Sequence, residues 1–286
     1  MAKFILSAFT DEYSKNFDEQ LVGMAENGLK YMEIRGVDGT NIADITCDKA
    51  KELKAKLDAH GMAVSSMGSP IGKIKITDPM EPHLEQLKHV CELAHILECD
   101  RIRMFSFFIP KEEDPANYRS QVMDRLGQML KVADAEAMTL CHENEKAIYG
   151  DIATRCLDIQ KEFDSRIKLV FDHANFICCD DEPFPKAYEM LKDYIYYMHI
   201  KDATPAKQMA PAGEGIGRIP ETIKELNKYD KTFFLTAEPH LRVFSGLDKL
   251  EGANELTFER SYKSSAEAFK VAIDAIKACV AAAQSR

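Results

Sequence analysis

The stretch TLCHENEKAIYG, residues 139–150, runs from an apolar segment straight into His142, Glu143, Asn144 and Glu145. Polar groups of this kind at the end of a buried strand can bind an ion or move a proton, work that an ordinary Gly, Pro or Ser turn does not do. Three later apolar runs close in the same way: IKLVFD at Asp172, YIYYMHI with His199 next to last, and TFFLTAE at Glu238. Three carboxylates and one imidazole make a hard, oxygen-rich donor set suited to one divalent metal ion. Mn²⁺ ranks first and Mg²⁺ beside it, with Zn²⁺, Co²⁺ and Fe²⁺ below them on ligand type.

Side chains alternate along a strand, so residues two apart share a face. Cys141 with Glu143, Val170 with Asp172, Tyr197 with His199, and Thr236 with Glu238 are four such pairs. In each, the first member is expected to fill an interior and the polar member to face its open end. A single strand-terminal acid is more often solvated or a helix N-cap, and a lone His is more often a hydrogen-bonded wall residue. Recurrence on four successive runs is what argues for a shared site. Glu145 has the parity of Glu143 and competes with it; His142 and His173 have the opposite parity, which suits wall packing or hydrogen-bonded support.

The elements that must position these residues are regular. Eight runs read as strands: 4–9, 31–35, 63–68, 101–108, 139–143, 167–172, 194–200 and 232–238. Stretches of helical period separate them, including 16–28 and 48–61, which stop at Gly28 and Gly61, then 83–97, 124–137, 151–163, 186–194, 221–229 and 265–283. Eight strand–helix units with no linker between them predict an α/β chain folded as one (β/α)8 TIM barrel over residues 1–286. In such a barrel the chemistry lies where strands end at their C-terminal side. No GxGxxG follows the first strand, which argues against a dinucleotide-binding sheet. The late segment GEGIG, 213–217, beside Arg218, is read either as a contact to a phosphate or hydroxyl or as a flexible loop entering a helix at Pro220.

Composition narrows the function classes. A net charge of −10 argues against a polyanion as partner, so no nucleic acid is expected. No apolar stretch approaches the roughly 20 residues of a membrane span, and the opening MAKFILSAFTDEY is too short for a secretory signal. Eight cysteines, among them the pair Cys178–Cys179, show no zinc-type CxxC spacing and are expected as reduced thiols in a cytoplasm.

Together these residues resemble the xylose isomerase-like sugar isomerase/epimerase superfamily of TIM barrels, which includes ketose 3-epimerases, hydroxypyruvate isomerase, inosose dehydratase and endonuclease IV. The likeness covers almost the whole chain: ENGLKYMEIR (26–35), HEN (142–144), FDHAN (171–175), MHIKD (198–202), GEG (213–215) and AEP (237–239). By this resemblance Glu143, Asp172, His199 and Glu238 are the metal ligands. The family's Glu-Asn pair falls on Glu143 and Asn144, which sets Glu145 aside. Two departures separate the chain from ketose 3-epimerases, Asn175 in place of a His and Lys201 in place of an Arg; HIKD looks like the broader isomerase/epimerase branch and inosose dehydratase. With endonuclease IV only the fold is shared.

The resemblance implies proton transfer through an enediolate of a small sugar or sugar derivative held at the metal, with Glu143 and Glu238 on opposite sides as base and acid and Lys201 stabilising the oxyanion or a hydroxyl. Glu33, Arg103, Asn175 and His240 are the expected substrate-binding residues, Glu33 being equally suited to pair with Arg35 or Arg103. Phe107, Phe108 and Phe244 are candidates for an apolar cover over a sugar face, or for packing among loops. The outcome implied is isomerisation or epimerisation. A metal-dependent lyase on the same site is the alternative, and a non-catalytic metal- or sugar-binding barrel a further one. The family often forms homodimers or homotetramers.

Overall fold

Segments of period two alternate with amphipathic segments of period near 3.6, and the computed structural model, which describes residues 1–243, 257–258 and 260–285, folds the former into one cylinder and the latter around it. The strands are β1 (Lys3–Ala8), β2 (Tyr31–Ile34), β3 (Ala63–Met67), β4 (Arg101–Met104), β5 (Thr139–Glu143), β6 (Lys168–Asp172), β7 (Ile195–Ile200) and β8 (Thr232–Ala237). From β2 round to β8 each pairs in parallel with the next, and β8 pairs with β1 from Lys3↔Thr232 to Ala8↔Ala237. This is the expected (β/α)8 barrel. No backbone ladder joins β1 to β2, where the sheet meets itself.

The surrounding helices are α1 (Phe17–Glu26), α2 (Cys47–Ala59), α3 (Glu81–Ile96), α4 (Arg119–Ala135), α5 (Ala153–Glu162), α6 (His173–Cys178), α7 (Tyr188–Leu191), α8 (Ile219–Leu226) and α9 (Ser265–Gln284). Local sequence explains their ends. Asn16, Thr46 and Ser264 accept from the backbone N–H of Glu19, Lys49 and Glu267 at 3.1, 3.2 and 3.1 Å, each cap contributing about 1 kcal/mol. Gly28 and Gly61 stop α1 and α2 at φ +68° and +62°, a region that disfavours a Cβ. Leu21, Met24, Leu53, Leu57, Leu87 and Val90 fill the layer between helices and sheet. Inside the barrel Cys141, Val170 and Tyr197 pack together, the interior members of three of the four parity pairs. Among the described residues no helix is long and apolar enough to cross a membrane.

The helix expected over 124–137 starts earlier, at Arg119, the short α6 was not expected, and two further elements differ for a visible local reason. The strand expected over 101–108 stops at Met104 because the chain then turns toward the loop after β3: Phe105 N donates to Ile71 O at 2.8 Å and Phe107 N to Gly72 O at 3.0 Å. Gly72 allows this approach, since a Cβ there would meet Phe105 O at 1.9 Å. The helix expected over 186–194 is reduced to α7, preceded by an irregular turn at Pro183–Ala187 in which Phe184 is extended (φ −144°, ψ 131°). Pro185 imposes that conformation on the residue before it.

Candidate metal centre

Four adjacent strands deliver the four donors to one point. Glu143 is the last residue of β5, Asp172 the last of β6, His199 the fifth of six in β7, and Glu238 follows β8 directly. One ligand atom from each lies within 4.8 Å of the others, and all four side chains are buried. Asn144 explains why the ends of β5 and β6 stay level. Its Nδ2 donates to Asp172 O and its Oδ1 accepts from Asp172 N, both at 2.9 Å.

Each donor has one atom fixed from behind and another turned inward. Arg103 Nη1 holds Glu143 Oε2 at 3.2 Å, leaving Oε1 at 3.0 Å from His199 Nδ1. Arg35 Nη1 holds Glu238 Oε1 at 2.8 Å, leaving Oε2 at 3.4 Å from the same nitrogen. Asp172 Oδ1 accepts from Asn175 N at 2.8 Å, capping α6, while Oδ2 faces Lys201 Nζ at 3.1 Å. His199 Nε2 lies 3.0 Å from Glu33 Oε2, which turns Nδ1 toward the carboxylates. Buried Asp172 Oδ2 and His199 Nδ1 make no well-directed hydrogen bond.

The charge balance tests whether a cation fits. Six buried carboxylates, Asp11, Glu12, Glu33, Glu143, Asp172 and Glu238, surround three permanent cations, Arg35, Arg103 and Lys201. Further positive charge is required, and the protein alone obtains it by holding protons. Burial pushes Glu12 up to about 8, against the pull of Arg35. Burial likewise pushes Asp172 up to about 7 despite Lys201. Burial disfavours a charged His199, yet Glu143 and Glu33 outweigh it and hold the ring protonated well above its ordinary value. Glu143 is opposed by burial too, but His199 and Arg103 draw it down to about 2. A divalent ion among these four inward atoms would supply two of the missing charges, and three oxygens and one nitrogen are its ordinary ligands. The residues present fit such an ion.

The structure gathers Lys201, Glu33, Arg103, Asn175 and His240 around this point. Lys201 is not a surface lysine: its buried ammonium bridges Asp172 Oδ2 and Glu238 Oε2, both at 3.1 Å. Asn175 Nδ2 donates to Glu143 Oε1 at 3.2 Å and to Asn144 O at 2.8 Å. His240 Nε2 lies 3.5 Å from Glu238 Oε1 and 3.6 Å from Glu12 Oε1. Glu33 accepts from Tyr197 OH at 3.0 Å and lies 4.0 Å from Arg103 Nε; its tighter partner is His199, and Arg35 turns elsewhere. Glu145 faces away and pairs with Lys73 at 3.1 Å. His142 and His173 stand in the wall, His142 Nε2 at 2.9 Å from Ser106 Oγ and His173 Nε2 at 3.1 Å from Thr222 Oγ1.

Some expectations are corrected. Phe107 is wholly buried, with the Arg125 guanidinium 5.6 Å from its ring centre, so it belongs to the core rather than to a cover. Phe108 bridges Lys75 and Ile148 in the loops; Phe244 lies outside the described residues. The GEGIG segment does cradle an anion, but the anion is the chain's own Asp202. Gly213 N and Gly217 N donate to its carboxylate at 2.9 Å and Gly215 N at 3.2 Å. Arg218 pairs with Glu221 on the surface.

Sequence reasoning missed Asp11 and Glu12, and assigned Arg35 only as a partner for Glu33. Arg35 Nε donates to Asp11 Oδ2 at 2.8 Å, and its Nη2 lies 3.5 Å from Glu12 Oε1. Its parity with Glu33 on β2 was the available signal. Asp11 and Glu12 sit in a one-turn 3-10 helix without periodicity and carried none.

A family model described as "Xylose isomerase-like TIM barrel" matches residues 23–279. No curated protein matches the sequence. Among solved structures, an L-ribulose 3-epimerase superposes with a TM-score of 0.74 at 16% identity, covering 99% of this chain and 96% of that one. A probable 3-DHS dehydratase, AsbF from Bacillus anthracis, gives 0.70 at 15% identity over 97% and 99%. The IOLI protein with a bound zinc atom gives 0.72 at 14% identity over 99% and 100%. At these identities the likeness is one of fold.

Proposed function

The chain belongs to the xylose isomerase-like TIM barrel family, and from that premise we propose that it is a divalent-metal-dependent isomerase or epimerase of a small sugar or sugar derivative. The whole chain acts as one domain, and the eight free cysteines suit a reducing cytoplasm. The observation that carries the reading is the meeting of Glu143, Asp172, His199 and Glu238 within 4.8 Å at the ends of successive strands. These four would hold the ion, Mn²⁺ by preference for their hardness. When bound, the ion supplies Lewis acidity toward a carbonyl and an adjacent hydroxyl.

The protein's own groups move the proton. Glu143 and Glu238 each keep one oxygen on a guanidinium and turn the other toward the centre, where Asn175 donates to Glu143 Oε1 and Lys201 to Glu238 Oε2. Glu238, like Glu143, is opposed by burial, but Lys201 and His240 hold its carboxyl well below the usual range. Both are therefore ionised at neutral pH. One, as carboxylate, removes the proton next to the carbonyl, and the other, once it has taken up a proton from solvent, delivers that proton to the opposite face or to the neighbouring carbon, so that the pair ends with its proton exchanged from one carboxyl to the other. Lys201, between Asp172 and Glu238, steadies the oxyanion, while Arg103, Asn175 and His240 position substrate around it.

The same ammonium favours a second reading, a lyase: a buried cation 3.1 Å from Glu238 can hydrogen-bond a departing hydroxyl while a protonated carboxyl of the site supplies the proton with which it leaves as water. Incubation of Mn²⁺-loaded protein in D2O with a panel of ketoses and keto-sugar derivatives separates the two. Solvent deuterium in an intact sugar marks the isomerase, and a dehydrated product marks the lyase. Glu238→Gln is expected to lower turnover by about 10²–10⁴-fold with the fold retained by circular dichroism; full activity in that variant would falsify the two-carboxylate mechanism.

A further inference from the structure

Away from the barrel mouth, Cys47, His89 and Glu92 bring one thiol, one imidazole and one carboxylate within 4.8 Å of one another. Cys47 is the first residue of α2, just after the Thr46 cap. His89 and Glu92 stand three apart on α3 and so share a face. Cys47 and His89 are half-buried and Glu92 is exposed, so the donors are accessible and free to adjust.

The imidazole is already oriented. His89 Nε2 lies 2.8 Å from Ile45 O, and a carbonyl only accepts, so Nε2 is the donor there and Nδ1 is the nitrogen turned to the cluster. Nδ1 faces Glu92 Oε2 at 4.0 Å. Fixing one ring nitrogen on a backbone carbonyl while the other faces a donor cluster is the arrangement that supports metal ligation by histidine. The Cys47 thiol lies beside the Glu92 carboxylate, within reach of the same point as the imidazole. A cation at that spot takes the place of the thiol proton, which is released as the sulfur binds as thiolate.

We propose that Cys47, His89 and Glu92 form a second metal site, for one thiophilic divalent ion of the zinc class, with water completing a tetrahedron. The two sites differ in softness: the mouth cluster offers three carboxylates and no thiol, whereas this one adds sulfur, which selects Zn²⁺, Cd²⁺ or Co²⁺ over Mg²⁺ and Mn²⁺. Bound there, the ion ties the first turn of α2 to α3 on the outer rim of the barrel.

Cobalt separates this site from the mouth cluster, because a thiolate-to-cobalt charge-transfer band needs a sulfur ligand, and the Cys47 variant separates it from the other cysteines. Co²⁺ is titrated into full-length protein already saturated with Mg²⁺. The expected result is a thiolate band that saturates at one equivalent, is absent in Cys47→Ser, and needs about tenfold or more cobalt in His89→Gln, with unchanged circular dichroism in both variants. A second measurement uses the unaltered chain: Zn²⁺ should slow alkylation of Cys47, followed by peptide mass spectrometry. No band in the wild-type protein, a band undiminished in Cys47→Ser, or alkylation of Cys47 indifferent to Zn²⁺ overturns the proposal.

Discussion

Glu33 acts through His199. Its Oε2 lies 3.0 Å from Nε2, and Tyr197 OH anchors its other oxygen at 3.0 Å, so the ring is held with Nδ1 toward Glu143 and Glu238. Loss of a carboxylate that orients a ligating histidine typically weakens metal binding by about 10–100-fold. Glu33→Gln should show that loss for Mn²⁺ by isothermal titration calorimetry while leaving secondary structure intact, and an unchanged Kd would remove Glu33 from ring orientation. At this scale the sequence was informative where a side chain follows strand parity: Glu143, Asp172, His199 and Lys201 were all visible as alternating positions. It was silent where a contact joins distant segments, as between Arg35 and Glu238, 203 positions apart.

The Gly-rich loop shows an element shaped by one buried anion. Asp202, two residues beyond β7, gathers the N–H groups of Gly213, Gly215, Gly217 and its neighbour Ala203. A Cβ on Gly215 would fall 2.3 Å from Asp202 Oδ1 and 2.4 Å from Ala203 O, both closer than any real contact. Gly215→Ala is therefore expected to cost about 1–3 kcal/mol, read as a Tm lower by several degrees in scanning calorimetry; a Tm matching the wild type would mean the loop has an alternative closure. The glycines alone allowed either a contact to a phosphate or hydroxyl or a flexible loop entering the next helix. Nothing local in the sequence said that the charge would come from within. The early end of β4 was hidden for a similar reason, since RIRMFSFF keeps strand-like composition while Gly72, some thirty residues earlier, draws Phe105 and Phe107 aside.

For the whole molecule the periodic pattern was enough to predict the barrel, because eight repeats of strand and helix leave few ways to bury both faces of a parallel sheet. Its stability should carry the mark of wall histidines. Burial lowers His173 to about 3. A group depressed on folding stabilises the native state fully above its unfolded value near 6.5 and loses that contribution as pH falls toward 3. Against His173→Gln, the wild type should lose about 2 kcal/mol of relative stability between pH 7.5 and 5, measured by urea denaturation; a constant difference would show that the imidazole takes up its proton equally in the folded and unfolded states. Such a comparison cancels Glu12 and Asp172, which are raised and shift in the opposite sense. One seam of the cylinder is fastened differently from the rest. Between its first two staves there are no amide rungs, and Arg35 beyond one stave clasps Asp11 beyond the other. A clasp made of charge, unlike a row of peptide bonds to carbonyls, can lengthen by small steps without breaking register. Along that line Arg35 also reaches Glu238, so any widening of the seam would be felt first by a carboxylate proposed to move the proton.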